Sequence, residues 1–199
     1  LIQEPDDLER RERLYNSKIL NWVRLAGSTG WLLLFAFWGI QDNGVMHESL
    51  PALGLLTASA ALLVFFHRKP RIAAIGTFAV IFIDFPITCF VFRLLVLAPG
   101  DGVLTLVSFT PMVATQISLA VFILQMVMAA LTIRFRFLGV ALLMGCLCQC
   151  YLQLLAGVSA PFVVTSVFIL TASCGIGAAV ASRFQRLGRS LATQDARLN

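Results

Sequence analysis

Apolar residues run through this chain in six long, nearly unbroken stretches, at 20–40, 50–66, 72–97, 112–133, 137–156 and 162–182. Each comes close to the roughly 20 residues that a helix needs to cross a hydrocarbon core about 30 Å thick. Lipid offers the backbone no hydrogen-bond partner, so spans of this length must be helices. Their continuity excludes the short alternating strands of a membrane barrel. The pattern therefore predicts an all-α fold, a polytopic membrane bundle of six transmembrane helices. Composition agrees: 59% of the 199 residues are hydrophobic and 13% charged, against about 45–50% and about 25% in soluble domains.

Charge orients the bundle. Basic residues fall at Arg10, Arg11, Arg13, Lys18 and Arg24, in the turn His67-Arg68-Lys69-Pro70-Arg71, and at Arg134, Arg136, Arg183, Arg186, Arg189 and Arg197. Six crossings place all of these on one side, facing breaks that carry Asp42, Glu48 and Asp101, with Arg93 as the exception. Both termini are then cytoplasmic. The net charge of +5 follows from this sidedness and from anionic inner-leaflet lipid, so no nucleic-acid partner is expected. The chain divides into a cytoplasmic juxtamembrane helix at 1–19, the transmembrane domain at 20–182 and a cytoplasmic output helix at 183–199. Its first stretch is too charged for a signal peptide, and with Leu1 in place of Met the expectation is a piece of a longer polypeptide.

Polar residues inside the spans carry the candidate chemistry. Asp84 lies thirteen residues beyond Arg71, about 20 Å along a helix and so near the bilayer centre. Gln149 reaches a similar depth counted from Arg136, and Gln125 lies about 13 Å inward from Arg134, so the three are expected to meet inside the bundle. Pro86 frees a backbone carbonyl one turn earlier and is expected to kink the helix beside Asp84. A carboxylate is expensive in hydrocarbon, so Asp84 must face protein or water. It is either interhelical glue or a ligand- or proton-sensing site. Arg93 is about 13 Å from Asp84 along the same helix, too far to pair, and is expected to snorkel to the outer headgroups. Gln153, Tyr151 and Gln116 either line a pocket toward the outer leaflet or anchor the interface.

Catalytic and cofactor signals are missing from this segment. Neither lysine, Lys18 or Lys69, reaches mid-membrane to anchor a retinal Schiff base, and His47 and His67 lie at opposite faces, which excludes paired haem ligation. The five cysteines sit in apolar runs, and Cys146, Cys148 and Cys150 at i, i+2 and i+4 do not converge on a metal. No catalytic residue, metal or cofactor is assigned. The ends point instead to signal transmission. Leu8, Tyr15, Ile19 and Trp22 share a helical stripe leading into the first span. In the last span Gly175 with Ala179, and Gly177 with Ala181, make small-residue pairs that permit close helix packing or dimerisation. Beyond them Arg183, Arg186, Leu187 and Leu191 continue as an output helix.

The basic turn after the second span, Ile83-Asp84-Phe85-Pro86 in the third, AALTIRFR at 129–136 and LQLLAGVS at 152–159 together resemble the six-helix membrane domain of bacterial class III adenylate and guanylate cyclases. The resemblance covers about 10–189. It implies a homodimeric anchor and receptor in the bacterial inner membrane, contacting a lipid or small hydrophobic ligand. Its last helix would feed a cytoplasmic domain that makes cyclic AMP from ATP with Mg or Mn. The chain holds no residues of that catalytic domain. A histidine kinase or diguanylate cyclase sensor, or a small proton-coupled transporter, are the alternatives, the last weakened by the absence of an internal repeat and by having a single intramembrane acid.

Overall fold

A computed structural model describes residues 5–41, 45–66, 78–97, 110–132 and 135–198, with side chains from 15 to 183 apart from those at 16, 38–47 and 131–136 and those between the described segments. Among the described residues all regular structure is helical. Helix α1 spans Pro5–Gln41 and α2 Val45–Phe65. Helix α3 opens with a π-helical turn, Val80–Asp84, and continues as Phe85–Leu97. Helices α4, α5 and α6 span Pro111–Thr132, Phe135–Leu155 and Ala160–Leu198. Each holds an apolar window long enough to cross a membrane: Ser17–Phe37, Glu48–Phe65, Val80–Leu97, Pro111–Ala130, Phe137–Leu155 and Ala160–Arg183.

Local chemistry explains several of these boundaries. Thr110 caps α4, its hydroxyl accepting from the Val113 N–H at 3.3 Å, with Pro111 at the first helical position where no N–H is needed. Helix α5 ends at Gly157, whose φ of 67° is the left-handed conformation that glycine adopts without strain. The Val158 N–H then reaches the Gln153 carbonyl at 2.9 Å and the Gly157 N–H reaches Leu154 at 3.1 Å, the paired bonds of a Schellman closure. That turn folds α6 back beside α5. The π turn ends two residues before Pro86 and is closed by the Phe85 N–H donating to the Val80 carbonyl. Proline supplies no N–H and crowds the carbonyl one turn back, so the expected irregularity beside Asp84 takes the form of a widened turn.

Helix α3 is the most enclosed, half of its apolar window being buried. It packs against α2, α4 and α5, while α1 pairs chiefly with α2, and α4 also meets α5 and α6. Phe85 and Phe122 stack at 5.7 Å in the centre, among Ile81, Met126, Leu152 and Leu170. The outer surface is as apolar as the core. Phe65 is 77% exposed and Phe168 72%, joined by Leu33, Leu55, Leu143, Leu154, Val164 and Ile176. Such a surface is unstable in water but matches lipid. The protein is a multi-pass membrane protein.

Candidate functional site

Arg24 enters the bundle from α1 and meets Asp84 on α3 as a two-pronged pair. Its Nε donates to Oδ2 at 2.6 Å and its Nη2 to Oδ1 at 2.5 Å. Both side chains are over nine-tenths buried, and Arg24 Nη1 also donates to Asn21 Oδ1 at 3.4 Å. The planar guanidinium fork suits a carboxylate held in this way. This corrects the flanking position expected of Arg24, which is the eighth residue inside the Ser17–Phe37 window and buried in the bundle.

Asp84 is buried at the end of the π turn, one turn before Thr88 on α3. Gln125 on α4 lies within about one turn of that level and lines the same cavity as Asp84. Its Nε2 donates to Thr88 Oγ1 at 2.8 Å. Gln149 does not join them. It is seventh from the far end of the Phe137–Leu155 window, where its Oε1 accepts from Ser118 at 2.9 Å and its Nε2 donates to the Thr115 carbonyl at 3.1 Å. Its depth is close to that of Asp84, since Cys148 Sγ meets the Phe85 carbonyl at 4.0 Å, but its side chain turns to α4 and away from the ion pair.

Gln153, Tyr151 and Gln116 do not form a pocket. Gln153 is buried, donating to Ser166 on α6 at 2.6 Å, while Tyr151 and Gln116 are exposed on the outer surface. Side chains two positions apart on a helix diverge by about 200°, which separates Tyr151 from Gln153. Arg93 is exposed and away from Asp84. Of the small residues on α6, Gly177 is buried, where an added Cβ would lie 2.8 Å from Ala130 Cβ on α4. Gly175 and Ala179 face outward and Ala181 is half-buried. Arg183 is exposed; Arg186, Leu187 and Leu191 belong to the helical continuation, with side chains outside the described residues. The side chain of Leu8, the basic turn at 67–71 and the break at 98–109 also lie outside the described residues. Tyr15, Ile19 and Trp22 point away from the bundle, all more than 45% exposed.

Beside the ion pair lies a cavity of about 140 Å³ between α1, α2, α3 and α4. Arg24, Asp84, Thr88 and Gln125 form its polar end, and Leu53, Val91, Phe92 and Val121 are among its apolar walls. Trp31 closes the other end, packed on Phe35 and Phe92 with ring centroids 5.6 and 6.2 Å apart. The exposed members of the lining, Val23 and Gly27 on α1 and Leu124 on α4, mark a mouth open sideways to lipid. Gln125 Oε1 is buried and accepts no hydrogen bond among the described residues. Arg24, Thr88 and Trp31 were not singled out by sequence reasoning. The signal for Arg24 was its position four residues inside an apolar run, where an ionisable residue implies a buried partner. Among the described residues no group of three or more His, Cys, Asp or Glu could hold a metal. No family model matches the chain, nor does any curated protein or solved structure.

Proposed function

We propose that the chain is the membrane anchor and sensor domain of a membrane-bound adenylate cyclase, passing a signal from the bilayer to a cytoplasmic catalytic domain through α6. The observation that carries this reading is the length of α6. The apolar window ends at Arg183, yet the helix runs unbroken to Leu198, about 22 Å farther. Helix α1 likewise begins twelve residues before its window. With six crossings both extensions leave the same face, and the sorting of arginines makes that face cytoplasmic in a bacterial inner membrane. A homodimer would bring two such rods together, as a cyclase needs to pair its catalytic domains. The resemblance to cyclase membrane domains favours this output over a histidine kinase or diguanylate cyclase on the same rod. Asp84 is tied to Arg24 by both oxygens, which leaves a proton-coupled transporter without a carboxylate to cycle.

The test joins residue 199 to a class III cyclase catalytic domain that is inactive as a monomer. The fusion should make cyclic AMP from ATP with Mg or Mn in bacterial membranes. One to four alanines inserted after Arg183 rotate the output by about 100° each, so activity should rise and fall with helical phase. Activity that is absent, or that is flat across the series, would overturn the reading.

A further inference from the structure

We propose that the cavity between α1, α2, α3 and α4 is a binding site for an uncharged, lipid-soluble alcohol, which places its hydroxyl at Gln125 and its hydrocarbon against Trp31. This deepens the sensing role proposed above and rests on it for biological purpose, though the binding itself is measured without any output domain.

Charge selects the class. Arg24 and Asp84 neutralise one another at the polar end, so an ionised headgroup entering there would find no uncompensated countercharge in a low-dielectric site. The remaining walls are apolar, with Leu20, Leu53, Leu56, Val80, Val91 and Val121 among them, apart from Ser28, whose hydroxyl donates to the Leu25 carbonyl at 3.2 Å. One buried acceptor is unused. Gln125 holds Thr88 with its amide nitrogen at 2.8 Å and leaves Oε1 without a donor among the described residues. A buried carbonyl of this kind is stabilised by one hydrogen-bond donor, which a hydroxyl supplies without adding charge.

Size and access agree. A cavity near 140 Å³ is close to the roughly 150 Å³ that accommodates a benzene-sized guest, and so admits a hydroxyl with about six carbons. Trp31 lies seven residues along α1 from Arg24, about 10 Å, which is the length of such a segment. The mouth at Val23, Gly27 and Leu124 opens to hydrocarbon rather than to water. The ligand therefore arrives from the bilayer, and any longer chain trails back into it.

The experiment uses the full chain in detergent micelles with Trp22 and Trp38 replaced by Phe, leaving Trp31 as reporter. Three probes are titrated: 6-bromohexan-1-ol, 1-bromohexane and 6-bromohexanoate, whose bromine quenches indole on contact. The alcohol should quench Trp31 saturably, at a concentration about three- to tenfold below that of the bromoalkane, as one neutral hydrogen bond implies, with the carboxylate weakest. Gln125→Leu should bring the alcohol to the level of the bromoalkane. Gly27→Phe, at a position where an added Cβ meets nothing within 4 Å, should block the mouth and abolish saturable quenching by all three probes. Equal, non-saturable quenching by the three probes would overturn the proposal. So would tightest binding by the carboxylate, or alcohol selectivity that survives Gln125→Leu. Circular dichroism checks helicity, and should Gln125→Leu not fold, Gly27→Phe with the three-probe ranking decides. A cyclase fusion that failed while these titrations succeeded would remove the output assignment and leave the site standing.

Discussion

At the scale of single residues, the ion pair between Arg24 and Asp84 determines how any substitution there must be read. Two charges over nine-tenths buried each depend on the other, and removing one leaves its partner uncompensated. Such a loss destabilises by about 3–5 kcal/mol, whereas replacing both with apolar groups of similar size is often neutral. Asp84→Asn should therefore weaken the bundle sharply, and Arg24→Met with Asp84→Leu should recover most of the loss. Unfolding in mixed micelles measures both. If the double variant is as weak as the single one, the pair contributes more than mutual neutralisation. Polar glue elsewhere should matter less: Gln149→Leu removes the bonds to Ser118 and Thr115, each worth about 1 kcal/mol within a membrane bundle. An output change caused by Asp84→Asn alone is thus no proof of sensing, and the double variant is the informative one.

Among the elements, turns and close approaches specify how the helices meet. Gly157 closes α5 at φ 67°, and a side chain in that conformation costs about 1–2 kcal/mol. Gly157→Ala should lower stability by that amount although nothing lies within 4 Å of the added Cβ, whereas Gly175→Ala, exposed on α6 with equally open space around it, should be nearly neutral. Thermal unfolding of the two variants checks the contrast. The six helices were legible in the sequence because hydrocarbon imposes both length and apolarity on every span. Which face each polar residue takes was not, because buried and lipid-facing positions are equally apolar here, as Leu170 and Phe168 on α6 illustrate, the first buried and the second 72% exposed. Asp84, Gln125 and Pro86 stood out as rare residues in apolar surroundings. Arg24 was misassigned because it stands near a span's end, where a snorkelling arginine and a buried one read alike.

For the whole molecule, the arrangement of α4 links the cavity to the helix that leaves the bundle. One side of α4 lines the cavity with Val121, Leu124, Gln125 and Met128. The same two turns carry Val127 and Ala130, against which Gly177 of α6 packs so closely that an added Cβ would stand 2.8 Å from Ala130 Cβ and 3.6 Å from Val127 Cα. Ligand occupancy that moves α4 by a few tenths of an ångström has no slack to be absorbed at this contact, because tight packing transmits strain. Gly177→Ala should push α4 and α6 apart and change both the basal cyclic AMP output of the fusion and its response to 6-bromohexan-1-ol, while the Trp31 quenching curve stays the same. Ala130→Gly in the Gly177→Ala background opens room for the new methyl and should restore the response. Altered output with unaltered binding would place the coupling at this contact. If binding shifts in step with output, or if neither changes, occupancy of the cavity reaches α6 by some route other than α4.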